Sequence, residues 1–483
     1  MDGEQVVIAS SSLMNVKSVA ERVVRGVLPI AAAPDIADLR FLADIEAGPA
    51  PRIWVDASAQ TLEGLLIARS RLDRIDDGLR LVDRHFADGR MRAPGRLEAA
   101  TRSRLFSAVA EIYAAAGWPR RAGEYAASAL AYADDDVSAF RAHAVRSLAA
   151  AVNGEYILAS EGLRTCDELA SASEWEGGHP DYDLLLARLL VASAALDAET
   201  MDRTAEELRD GAPNDPYWQY SSRTARAMSA LIRRDYAEGT VLVAALAGGT
   251  ESHSGHSMVR GFAQGVYADL LLARGEPRRA LAVLEGRVSP PGHALCFDMQ
   301  RAAALIALGR EREVLESTDP CIRMGTQHCV RTLTPLLLRR AVAHARLGNE
   351  AAADAAFSEG FHLSETLGAS LTPYLTLPQP DLLVLLDRLA ARHPGSEAAV
   401  ARVAGMLALV PTHDHRPPLP NLSPREERLA LALRGPRSLP QIAEDLEVSL
   451  NTVKSQLRSI YAKLQVSGRE AAVAVLEAHG FYV

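Results

Sequence analysis

Residues 450–464, LNTVKSQLRSIYAKL, place two chemically distinct faces on one helix. Val453, Leu457, Ile460 and Leu464 recur at helical spacing and form an apolar stripe that must be buried. Asn451, Lys454, Ser455, Arg458 and Ser459 fall on the opposite face, which holds no carboxylate although carboxylates are common just upstream. Long cations among short hydrogen-bond donors suit an electronegative groove: the cations are drawn to phosphates and the donors can meet base edges. Lysine is otherwise almost absent. Lys17, Lys454 and Lys463 are the only three, against 49 arginines.

That scarcity excludes other chemistry. Without a lysine between residues 18 and 453, no phosphate-loop, Schiff-base or phospho-receiver lysine can sit there. Lys17-Ser18 follows an apolar run in the manner of a phosphate-binding loop, but Ser11 and Val16 stand where glycines are required, so no nucleotide site is expected. No G-x-S-x-G, H-E-x-x-H or C-x-x-C occurs, so neither an enzyme nor a bound cofactor is expected. Cys166, Cys296, Cys321 and Cys329 form no paired framework, which fits a reducing cytoplasm. His413 and His415 fall short of the four ligands of a structural metal site, and the expectation for metal is none. No apolar run reaches the roughly 20 residues of a membrane span, and Asp2 and Glu4 replace the positive start of a secretory signal.

Four short helices, each with its own start signal, must position the polar face. Ser423-Pro424-Arg425-Glu426 is a capping box with proline at the first helical position, and Ser438 with Gln441 repeats the spacing. Ser449 can cap the helix ending near Leu464, Ser467 with Glu470 opens a fourth, and Gly480 ends it. The second and third helices are joined by the short Glu447-Val448 turn, which describes a helix-turn-helix. Net charge agrees: the chain is −9 overall, but residues 421–483 are +1 and the rest −10.

Leu422 to Glu426, Ile442-Ala443 with Leu446, Thr452-Val453-Lys454, and Lys463-Leu464 with Val466 and Arg469 together resemble the DNA-binding domain of the LuxR family of bacterial transcription regulators. The resemblance covers about 60 residues. It implies that the helix matching Leu450 to Leu464 enters the major groove of double-stranded DNA, with Lys454, Ser455 and Arg458 as base readers. Thr452, Gln456, Lys463 and Arg469 become phosphate or helix-positioning contacts. A homodimer on DNA is implied, with the fourth helix around Val473 to Ala478 as one contact, and RNA polymerase is a further partner to consider. Two departures stand out: the second helix reads Ser438-Leu439-Pro440-Gln441-Ile442-Ala443, without the family's lysine, and Gln456 replaces a common histidine. Arg437 is the expected substitute for the missing phosphate anchor.

Upstream, turns at Gly117, Gly154, Asp197, Asp235, Gly275, Gly309 and Gly348 recur at the period of a helical solenoid. Ala122, Ala159, Ala280 and Ala353 each follow a turn by five residues, where two helices can approach closely. Segments such as YAAAGWPRRAGEYAASAL resemble tetratricopeptide (TPR) repeats. The expected architecture is all-α, a TPR-like solenoid followed by a four-helix LuxR-type domain. Its parts are residues 1–70 of uncertain fold, 71–410 the repeats, 411–420 a Pro-rich linker and 421–483 the DNA-binding domain. Strand-like runs in the first part are QVVIAS and RIWVDAS. The cluster Tyr217-Trp218-Gln219-Tyr220 suits either a ligand surface or packing between repeats, and large aromatics favour packing. The combined expectation is a transcription regulator whose repeats receive a small molecule or protein effector; the alternative is a protein-binding adaptor with weak DNA binding.

Overall fold

Runs of alanine and leucine broken by short turns become helical hairpins, because one amphipathic helix must bury its apolar face against another. The structure, a computed structural model, describes residues 15–482 except 94, 174, 176–180, 248–255, 413–421, 465 and 479–480. The chain opens with α1 (15–26), α2 (Ile36–Ala43), α3 (Asp56–Arg71) and α4 (Ile75–His85). Next come α5 (Ala99–Ala115), α6 (Pro119–Tyr132), α7 (Asp136–Asn153), α8 (Tyr156–Ser173), α9 (Tyr182–Ala195) and α10 (Ala198–Gly211). The array continues through α11 (Pro216–Ile232), α12 (Tyr236–Ala247), α13 (Ser257–Ala273), α14 (Pro277–Val283), α15 (Phe297–Ala307) and α16 (Glu311–Arg323). It ends with α17 (Val330–Arg346), α18 (Glu350–Thr366), α19 (Gln379–Arg392) and α20 (Glu397–Met406).

Odd-numbered helices from α3 to α19 pack on one another as an inner layer, and each even-numbered helix from α6 to α18 packs against its two sequence neighbours. All seven expected turns fall between helices of a hairpin. Glycine takes a left-handed conformation at five of them, and Leu196 and Arg234 do so just before Asp197 and Asp235. Ala122, Ala159, Ala280 and Ala353 are fully buried where the paired helices meet.

The array curls until its late repeats touch its early ones. Tyr156 N donates to Leu367 O at 3.0 Å and Leu371 N to Ala194 O at 2.8 Å. Arg331 Nε and the Cys329 thiol both reach Val152 O, at 3.0 and 3.2 Å. On the same seam Gly154 has φ +94°, and a Cβ there would lie 3.0 Å from the Arg331 Cα. Further along, the Asp73 carboxylate accepts from Ser257 N and Arg260.

The described part of the first segment, from residue 15 on, is mostly helical. Val16, Val19, Ala20, Val23 and Val24 of α1 are buried in the same core as α3, α5 and α7. Gly64 makes this approach fit, since its Cβ would sit 2.9 Å from the Ala20 Cα. The QVVIAS run lies outside the described residues. RIWVDAS is a strand for only two residues: Trp54-Val55 pairs in parallel with Gly95-Arg96, and Ser58 bonded to the Val55 backbone then turns the chain into α3. Lys17 and Ser18 lie exposed on α1, not in a loop. No helix among the described residues is long and apolar enough to cross a membrane.

Gly154→Ala should destabilise the array by about 1–3 kcal/mol, since it combines left-handed strain with a close approach. Gly123→Ala, in α6 with nothing near its Cβ position, should instead be neutral or stabilising by about 0.5–1 kcal/mol. Urea unfolding of the two variants checks this contrast.

Candidate nucleic-acid interface

The terminal domain consists of α21 (Pro424–Leu433), α22 (Leu439–Asp445), α23 (Leu450–Leu464) and α24 (Arg469–Ala478). The first three expected caps are present, α24 begins at Arg469, two residues after Ser467, and Gly480 lies outside the described residues. Ser423 N donates to Glu426 Oε2 at 2.6 Å and Ser438 N to Gln441 Oε1 at 2.8 Å, while Ser449 Oγ accepts from Thr452 N at 3.1 Å. Glu447 takes a left-handed φ of +54° in the turn between α22 and α23. Val453, Leu457, Ile460 and Leu464 are all buried, in a core shared with Leu429, Leu433, Ile442 and Leu476.

Glu426 does more than cap α21. Its carboxylate also receives Ser459 Oγ and Lys463 Nζ, each at 2.6 Å, and so ties the first helix to the third. Burial opposes its ionisation, but the bonds from Lys463, Ser459 and Ser423 outweigh that and hold the carboxyl at about 2. Ser459 therefore turns toward α21, away from the groove-facing set in which its spacing placed it.

Lys454, Ser455 and Arg458 are exposed together on the outer face of α23, and neither cation has an ion pair among the described residues. Thr452 is exposed in the first turn, its Oγ1 2.8 Å from Ser449 Oγ, and Gln456 is half-buried beside it. Lys463 is engaged by Glu426. Arg469 donates to Leu433 O, Gly435 O and Arg437 O at 3.0, 2.6 and 2.6 Å, so it closes the C-terminal end of α21. Arg437 pairs with Asp445 at 2.6 Å, which occupies the group expected to replace the family's lysine.

A second feature lies inside the repeats. Arg71 forms ion pairs with Glu111 at 3.0 Å and with Asp183 at 3.2 Å; Arg141 forms them with Asp181 at 2.9 Å, with Asp183 at 2.6 Å, and also with Glu111. All five are buried or nearly so. Burial lifts the Glu111 carboxyl above the usual range, whereas the two guanidiniums overcome burial at Asp183 and lower it. Arg71, Glu111 and Asp183 of this network line a cavity of about 1110 Å³, its open mouth included. Tyr182, Trp218, Phe262 and Leu190 supply apolar lining, and His256 and Arg331 stand at its polar side. Trp218 packs on Tyr182 with ring centroids 5.0 Å apart, while Tyr220 is buried with its hydroxyl on Leu246 O. The aromatic cluster thus both packs and lines. Sequence reading missed Arg71 and Asp183, which no spacing links, and reads His256 only as the end of a histidine-containing loop.

Glu426→Gln should loosen the α21–α23 contact by about 1.5–3 kcal/mol at neutral pH, the range for hydrogen bonds to charged groups. Because the folded carboxyl titrates below its ordinary 4.5, this stabilisation is present above pH 4.5 and fades as pH falls toward 2. Hydrogen exchange of peptides from 450–464 should show that pH dependence in the native chain and lack it in the variant.

Residues 420–476 match the family described as bacterial regulatory proteins, luxR family. No curated protein matches the chain. Among solved structures, the crystal structure of Rap protein complexed with competence and sporulation factor is similar over 74% of this chain and 99% of that one, with a TM-score of 0.50 and 11% identity. At that identity the likeness concerns the fold alone. The chain is a TPR-like helical array that ends in a luxR-family helix-turn-helix domain.

Proposed function

We propose that this protein is a sequence-specific, DNA-binding transcription regulator in which the repeats, residues 71–410, receive an effector and control a DNA-binding unit at 421–483. The observation that carries the reading is the outer face of α23. Lys454 and Arg458 lie four residues apart, exposed and without an ion pair among the described residues, on a helix whose other face is buried. With Ser455 they read base edges in the major groove, and Thr452 and Gln456 meet the adjacent phosphates. Lys463 and Arg469 act within the domain, holding α23 and α24 against α21. The protein binds as a homodimer through α24, on half-sites about one helical turn apart, with RNA polymerase as a further partner.

The cavity supports the sensing half of the proposal. An apolar lining with a few convergent polar groups is the usual form of a small-molecule site. The Arg278 guanidinium of α14 lies 4.9 Å over the Phe481 ring, so the array touches the terminal domain there. The pairing of Arg437 with Asp445 favours a second reading, an adaptor with weak DNA binding, since it takes up a phosphate anchor.

Lys454→Ala and Arg458→Ala should each cost about 1–3 kcal/mol of discrimination between operator and random duplex. Lys463→Ala should leave that ratio unchanged and lower stability. Titrations at several salt concentrations, on an operator selected by the purified chain from random duplexes, measure this. Failure to select any sequence, with protein partners retained, establishes the adaptor reading instead.

A further inference from the structure

Where α15, α16 and α17 converge, the chain brings together His293, Cys296, Cys321 and His328, whose ligand atoms all lie within 4.8 Å of one another. His293 sits in the loop before α15 and Cys296 caps that helix; Cys321 lies in the last turn of α16, and His328 just before α17. The Cys296 and Cys321 sulfurs are 3.8 Å apart, as are Cys321 Sγ and His293 Nδ1. Zinc bonds of about 2.3 Å to sulfur and 2.0–2.1 Å to nitrogen, at tetrahedral angles, separate such atoms by about 3.8 and 3.6 Å.

A second observation concerns His328, which is fully buried. Its Nδ1 lies 2.9 Å from Cys329 O, and a carbonyl can only accept, so the proton is on Nδ1 and Nε2 presents its lone pair. That Nε2 is buried and has no hydrogen bond of ordinary geometry. A nitrogen so oriented, with two thiols and a second imidazole beside it, is the arrangement of a metal ligand.

We propose that His293, Cys296, Cys321 and His328 bind one zinc ion in a closed, structural site. Two sulfurs and two nitrogens select a borderline-soft, tetrahedral cation over magnesium or calcium. Four protein ligands leave no open position, so the ion is a clip and not a catalyst. On binding, the two thiols release their protons to solvent and the resulting thiolates balance the 2+ charge. Asp298, 3.6 Å from Cys321 Sγ, is itself bonded to Arg301 at 2.7 Å. Thr332 Oγ1 donates to His293 O at 2.6 Å and holds the ligand loop, where His293 has φ +50°. The clip fixes the neighbours of its ligands, Leu295 and Arg331, which line the cavity and, through Arg331, brace the seam at Val152.

The test is made on the full, reduced chain. Purified from zinc-supplemented cells without chelator, it should carry about one zinc per chain by mass spectrometry of the metal, with magnesium present in excess. Cobalt(II) added to chelator-stripped protein should give the intense visible bands of a tetrahedral site and thiolate charge-transfer bands. Cys321→Ser and His328→Ala should abolish both signals, while Cys166→Ser, at a buried cysteine outside the cluster, should keep them. Stripping should lower the melting temperature of the native chain, and zinc should restore it. A folded, reduced native chain that takes up neither zinc nor cobalt overturns the proposal, as does cobalt binding with an octahedral spectrum.

Discussion

Two guanidinium groups buried among three carboxylates set the geometry on which the array depends. Arg71 comes from the end of α3, Glu111 from α5, Arg141 from α7, and Asp181 and Asp183 from the start of α9, so one node joins four consecutive inner helices. Taking these charges out of water is costly, and an apolar set of equal volume is often no less stable. What the node supplies is orientation. Each arginine accepts only the helix rotation that brings all of its partners into reach, and that rotation turns Tyr182, stacked 4.5 Å from Arg71, toward the cavity. Removing Arg141 would leave Asp181 charged and buried without its ion partner, the costly case for a buried network.

The terminal domain was legible almost to the residue because its signals are local. Capping boxes lie three residues apart, and the apolar stripe of α23 lies within fifteen. Where a role depends on distant chain the sequence is silent. Glu426 reads as a cap, but its bond to Lys463 spans 37 residues. Arg437 reads as a phosphate anchor, and its pairing with Asp445, eight residues on, leaves no periodic mark in the sequence.

The array repeats this division. Turns and small residues disclose the hairpins, since each hairpin closes within its own repeat. The seam does not show, because nothing beside Gly154 indicates that Arg331 will pass within contact distance. The four-ligand cluster was passed over for a related reason. A search for cysteine pairs does not join His293-x-x-Cys296 to Cys321 and His328, which lie a helix and a turn away. The two parts also differ in charge: residues 1–420 carry −10 and residues 421–483 carry +1, a balance that disfavours contact between a polyanion and anything but the terminal domain.

The seam has a consequence for how the protein is made. Val152 and Cys329 are 177 residues apart, and at roughly 5–20 residues per second a ribosome needs about 9–35 s to deliver the second after the first. During that interval the early helices have left the ribosome with an inner face that no later repeat covers. Nascent chains stalled before residue 329 should therefore hold this surface open to chaperones, and release from them is timed by translation through α17.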